Sequence, residues 1–188
     1  MTSGGLGDEL RRIGREAGLD AVGICDAAPF DQTERAIRER KALGWSAGMQ
    51  FTFRKPERST NPQAALPGAT AIFVGARRYE RRAEDGDGNG QPQGRVAMYS
   101  WVDHYQPLRA ALGVVADRLR REGWQARVLA DDNALVDRAA AVRAGLGWYG
   151  KNTNVLLPGS GSWFVLGSVL TDAPLTDAID APVPVADG

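Results

Sequence analysis

Asn154-Val155-Leu156-Leu157-Pro158-Gly159-Ser160-Gly161-Ser162-Trp163-Phe164-Val165-Leu166 is the stretch whose reading decides the fold. Two apolar runs, 154–157 and 162–166, flank a Pro-Gly-Ser-Gly turn, which reads as a hairpin. A hairpin means an antiparallel pair. Upstream, helices alternate with strands, a pattern of helix-on-sheet layers. Together the two signals predict an α/β (α+β) sandwich, with a mixed sheet and helices packed on it.

Working outward, Ala126–Ala130 reads as a strand and 134–144 as a helix that ends at Gly145. Before them, Leu108, Leu112, Val115 and Leu119 share one face of a helix over about 104–122, with Pro107 in its first turn and Gly123 as its stop. At the other end of the chain, Leu6, Leu10, Ile13 and Ala17 mark a first helix closed by Gly18. Ala21–Cys25 and Ala71–Gly75 are short apolar runs that read as buried strands. Asp31 followed by Glu34 resembles a capping box and predicts a charged helix over about 32–43. Residues 80–94, rich in Gly, Asp and Glu, predict a surface loop that cannot bury enough apolar area to order itself. The Asp-, Ala- and Pro-rich residues 173–188 read as a linker, leaving 1–172 as one domain.

Bulk properties narrow the class. The 188 residues carry 23 basic and 23 acidic side chains, a balance that gives no global electrostatic footprint for nucleic acid. No apolar run approaches the ~20 residues of a membrane span, and the N-terminus lacks a signal-peptide core, so a cytoplasmic protein with no membrane partner is expected. Cys25 is the single cysteine, which excludes an internal disulfide and a thiolate metal site built from this sequence. It reads as a small core residue.

Gly145-Leu146-Gly147-Trp148-Tyr149-Gly150 matches the dinucleotide pattern G-x-G-x-x-G, and with Lys151 it nearly matches a phosphate loop. Both need a strand before the glycines and a helix after them. Here a helix runs into Gly145 and a strand follows Asn152. Asn152 also stands where the phosphate loop needs a magnesium-binding hydroxyl. The plain reading is a tight helix-to-strand turn.

Single residues carry weaker signals. Asp131 and Asp132 follow a strand end, where ligand crevices of α/β sheets lie. Asp131 reads equally as a general acid or a helix cap, whereas Asp132 and Asn133 read as caps. His104, the one histidine, reads as a helix-start residue. Trp45, Trp101, Trp148 and Trp163 lie in or beside glycine-rich turns, where rings can line a broad, flat pocket. Arg77, Arg78, Arg81 and Arg82 read as a solvated face that could also meet phosphates.

Three blocks, Leu129–Arg138, Ala144–Asn152 and Gly161–Gly167, resemble in order and spacing the signature of the epoxyqueuosine reductases. Arg58, Asn61-Pro62, Leu66–Ala69 and the Tyr99 block fit the same pattern, so the resemblance spans nearly the whole chain. Within Met98–Gln106 only the two tyrosines of the family's pattern remain, and Ala134 replaces a common proline.

The resemblance implies a cobalamin-dependent oxidoreductase, similar in architecture to nitroreductase-like and reductive dehalogenase folds. It would reduce epoxyqueuosine to queuosine at the wobble position of tRNA, with base-off cobalamin as the reaction centre. Asp131 falls on the position of the proton donor. Arg58, Tyr99, Asp131, Val136, Arg138, Val155 and Leu166 fall on or near positions that line the cofactor pocket. The glycines from Gly145 to Asn152 would let the backbone approach the corrin. Relatives continue into an iron–sulfur half whose cysteine ligands this sequence does not contain, so the resemblance implies a catalytic portion that is inactive alone. That half and an electron donor would be needed for turnover, and most tRNA contacts would belong to it. Two other readings remain: a cobalamin-binding or carrier module without its own chemistry, and a phosphate- or nucleotide-binding α/β domain.

Overall fold

The computed structural model describes residues 5–79, 94 and 96–183. α1 (Leu6–Glu16) buries Leu10 and rests Leu6, Ile13 and Ala17 against the core. It ends as its sequence predicts, with Gly18 at φ 101°. β1 (Ala21–Asp26) and α2 (Asp31–Ala42) follow. The capping box does not form: Phe30 occupies the N-cap, and Asp31 is already helical. Glu34 instead accepts from Arg38, one turn on, at 2.7 Å and from the Thr60 hydroxyl at 3.3 Å. Prolines then break the chain into three single turns, α3 (Phe51–Arg54), α4 (Pro56–Ser59) and α5 (Pro62–Ala65).

β2 (Ala71–Arg78), α6 (Tyr105–Arg121), β3 (Ala126–Leu129), α7 (Asp137–Arg143), β4 (Trp148–Tyr149), β5 (Val155–Leu156) and β6 (Phe164–Thr171) complete the elements. α6 runs where its apolar spacing places it, and Leu108, Leu112, Val115 and Leu119 are all buried. α7 begins at Asp137, three residues later than expected. Ala134, Leu135 and Val136 are spent on a buried turn, in which Asp132 accepts from the Ala134 amide at 2.9 Å. The loop expected over 80–94 lies, apart from Gly94, outside the described residues, as do Arg81 and Arg82.

The main sheet has the order β1-β2-β6-β3. The helix-on-sheet class is as expected, but every pairing in this sheet is antiparallel rather than mixed. Strand alternation divides the core in two. Ala71, Phe73, Val165 and Val169 face α1 and α6. Ile72, Val74, Leu166 and Leu170 face α7 and the segment around α2 and α5. Gly75 and Gly167 are cross-strand partners, and a Cβ on either would press on Leu112 of α6. The missing side chains let that helix lie close on the sheet.

The hairpin expected at 154–166 is absent. β5 pairs with β4 in a separate two-stranded ribbon, while β6 enters the main sheet between β2 and β3. Only a Leu157–Gly161 bridge links the two arms. Gly159 and Gly161 take φ of 66° and 56°, and a tight bend (Phe164 amide to Ser162 carbonyl, 3.0 Å) redirects the chain. Residues 173–183, expected as linker, are anchored in part. Ala173 and Leu175 are buried, and Asp180 accepts from the Ile24 amide at 2.7 Å and from Arg11 at 2.9 Å.

Candidate active site

One end of the sheet gathers the chemistry. β2 ends opposite the start of β6, where Arg78 pairs with Phe164. β3 runs to the same end, where Leu129 pairs with Ser168. Because a four-residue turn joins the end of α6 to the start of β3, α6 begins at that end too. Tyr79, Trp163, Asp131 and the His104-Tyr105 start of α6 therefore converge.

The aromatic part of this end is built around Tyr79. Its ring centroid lies 5.0 Å from that of His104 and 6.0 Å from that of Trp163, the latter edge-on. His104 is buried and immediately precedes the first turn of α6, as expected of a helix-start residue. Trp163 is 44% and Tyr99 57% exposed. Burial raises the hydroxyl pKa of Tyr79, and the nearby Tyr99 adds to it. Burial also raises that of Tyr105, with further upward pressure from Asp131, Asp137, Tyr79 and Tyr99. These mutual effects place two carboxylates and three phenols in one neighbourhood.

Asp131 is exposed and follows the end of β3 with φ 56°, a left-handed conformation that aspartate tolerates better than most side chains. The turn that carries it is tied down twice. Asp132 holds the Ala134 amide, and the Ser59 hydroxyl donates to the Asn133 carbonyl at 2.6 Å. The second bond joins the turn to α4. Beside that junction lies an open groove of about 270 Å³ lined by Phe51, Arg54, Lys55, Arg58, Ser59 and Asn133.

Asp137 opens α7 behind Asp131. Its Oδ1 is enclosed and has no hydrogen-bond partner. Burial, and then the charges of Asp131 and Asp132, push its carboxyl up to about 8. Sequence reading passed over this residue, because an aspartate in the first turn of a helix is ordinarily a solvated dipole partner. No spacing rule marks it, because the exposed Arg138 follows it and its setting is made by packing.

The other expected site residues divide by burial. Arg58, Tyr99 and Arg138 are exposed. Arg138 donates to the Thr153 carbonyl at 3.4 Å and lies near Tyr149, whose hydroxyl pKa burial raises while Arg138 and Arg40 oppose the rise. Val136, Val155 and Leu166 are buried in the α7-side core, so their side chains contribute packing. Gly145, Gly147 and Gly150 leave room for the chain itself. Added Cβ atoms would meet the Ala181 carbonyl oxygen at 2.4 Å, the Leu156 carbonyl oxygen at 2.0 Å, and the Asn152 and Leu156 side chains near 3 Å. The glycines thus let β5 and residue 181 pack against this turn. Cys25 is fully buried, and burial pushes its thiol up to about 12. No group of three or more potential metal ligands occurs among the described residues.

An antiparallel sheet clothed on both faces, with acids and aromatics at one end, is a fold that solved structures share. A catabolic reductive dehalogenase, 24% identical, shares the fold at a TM-score of 0.55 over 96% of this chain and 21% of its own. A crystal structure of epoxyqueuosine reductase with an epoxyqueuosine-modified tRNA-Tyr stem-loop superposes at a TM-score of 0.83. It is 28% identical and covers 95% of this chain and 48% of that one. The epoxyqueuosine reductase of Bacillus cereus is 31% identical over 182 residues, 90% of this chain and 45% of that protein. The chain is thus related to the epoxyqueuosine reductases over about nine tenths of its length. It spans about half the length of the curated relatives it matches. No family model matches it. Among the described residues, no helix is long and apolar enough to cross a membrane.

Proposed function

We propose that this chain is the cofactor-binding, catalytic portion of a cobalamin-dependent reductase that converts epoxyqueuosine to queuosine in tRNA. The observation that carries the reading is Asp131, presented to solvent on a left-handed turn at the sheet end where Tyr99, Tyr105 and Trp163 gather. The likeness to epoxyqueuosine reductases over this same region supports it.

The residues present suit the cofactor. Exposed rings can border a broad, flat ligand, and Arg58 and Arg138 can meet its polar periphery. His104 is buried against Tyr79, so its ring supports the aromatic wall rather than the surface that would meet the cofactor. When bound, the cofactor would supply the reducing power at its metal.

The chain's own part is positional and protonic. Asp131 would give a proton to the epoxide oxygen as its C–O bond opens, becoming a carboxylate; the full conversion takes two electrons, which the bound cofactor would supply, and two protons, and releases the oxygen as water. Electrons, and most of the grip on tRNA, come from parts beyond the cysteine-poor sequence described here, where iron–sulfur clusters and a reductant partner would act.

Titration of the chain with cob(II)alamin, followed by electron paramagnetic resonance, tests the reading. A bound, base-off signal is expected. No binding, either by this chain or by one extended into an iron–sulfur half, would overturn it. In the extended protein, Asp131→Asn should keep the signal and reduce turnover by ~100-fold or more. Unchanged turnover would instead favour a carrier module in which Asp131 has no chemical role.

A further inference from the structure

Asp137 is half-buried, and one of its two carboxyl oxygens lies where nothing can bind a charge. Its Oδ1 is shut off from solvent and finds no donor. The charged groups that act on it, Asp131 and Asp132, have its own sign and stand on the preceding turn. From α6 it faces Tyr105, a neutral phenol. Ionisation would put negative charge on an enclosed oxygen with no donor and two like charges nearby, whereas the neutral acid avoids that cost.

We propose that Asp137 is a positioning residue, carried as a neutral acid, whose enclosed carboxyl oxygen latches the 131–136 turn that presents Asp131 to the ligand. The inference rests on the reading of Asp131 given above. The body of α7 cannot yield easily, because Ala139, Ala140 and Ala141 are buried. The turn ahead of it is held by the packing of Leu135 and by the Asp132–Ala134 and Ser59–Asn133 bonds. Ionising Asp137 therefore pulls on the turn that carries Asp131.

The sign follows from proton linkage. With the latch closed, Asp137 keeps its proton up to about pH 8. With it open, an ordinary carboxyl loses its proton near pH 4. Opening is thus accompanied by proton release between those limits. Its equilibrium constant rises about tenfold per pH unit across that window and levels off above pH 8.

Amide hydrogen exchange of residues 131–136 in the cofactor-free chain, corrected for the intrinsic pH dependence, reads this constant. Wild type should show the rise from pH 5 to 8 and then a plateau, while Asp137→Asn should be flat. An equal slope in the variant, or a flat wild type, would overturn the latch. Should the variant fold poorly, the carbon-13 shift of the Asp137 carboxyl in wild type decides. A midpoint near 8 supports the proposal, and one near 4 removes it. Both measurements are made without cobalamin, so a failed cofactor titration and a failed latch are told apart.

Discussion

The two faces of the sheet are built to different standards. On the α1–α6 face, large side chains close over paired glycines, and the flanking charges are matched, as in Arg118 with Glu9 at 2.9 Å and with Glu122 at 2.6 Å. On the α7 face, alanines pack against the sheet and two polar atoms are left without partners, Asp137 Oδ1 and Ser168 Oγ. Ser168 lies between Leu166 and Leu170 on that side of β6. One face is finished as support, and the other keeps polar groups that stability alone would remove. Among the described residues these are the buried side-chain oxygens without a partner, and both lie on the α7 side.

That contrast can be broken in order of expected effect. Leu112→Ala, which opens a cavity over Gly75 and Gly167, should destabilise the fold by about 4 kcal/mol in denaturant unfolding. It should leave the pH slope of exchange at residues 131–136 unchanged, and a changed slope would mean that the faces are coupled. Gly147→Ala sets a Cβ against the Leu156 carbonyl and should cost about 3 kcal/mol, with exchange rising first in β4 and β5.

Asp137→Asn should do the opposite at alkaline pH. The folded chain holds its proton to about pH 8 and the unfolded chain only to about 4. Wild-type stability therefore falls through that window by up to ~1.4 kcal/mol per unit. The variant, lacking the proton to lose, should gain steadily on wild type as pH rises from 4 to 8, and parallel pH profiles of the two would remove the linkage. The smallest effect belongs to Ser168→Ala, which removes an orphaned hydroxyl and should stabilise by ~1 kcal/mol. A loss there would show that Ser168 has a partner, such as a buried water.

Legibility in the sequence followed the range of the forces involved. α1, α6 and the interior of β2 were readable because apolar spacing and a terminal glycine are local signals, and Gly18 and Gly123 do stop their helices at positive φ. The hairpin at 154–166 misled because Pro-Gly-Ser-Gly announces a reversal but does not say which strands will pair. β6 found better partners in β2 and β3, which are remote in sequence. The glycines at 145, 147 and 150 resembled a ligand approach, yet their neighbours are β5 and residue 181, which no spacing rule could supply. Asp131 was legible as a candidate through its strand-end position and family pattern. Asp137 was not, since its enclosure is created by packing alone.

The attachment of Asp180 has a consequence for how this molecule behaves in a crowd. β1 is an outer strand of the sheet, and an outer strand offers unpaired amides and carbonyls to any passing neighbour. Asp180 occupies both groups of Ile24, its carboxylate taking the amide and its own amide donating to the carbonyl at 2.8 Å. The stretch after β6 thus acts as a hem sewn along a raw margin. Ending the chain at Ile179 would keep the buried Ala173 and Leu175 but bare that margin, and the expected result is concentration-dependent self-association in light scattering, with no change in monomer fold.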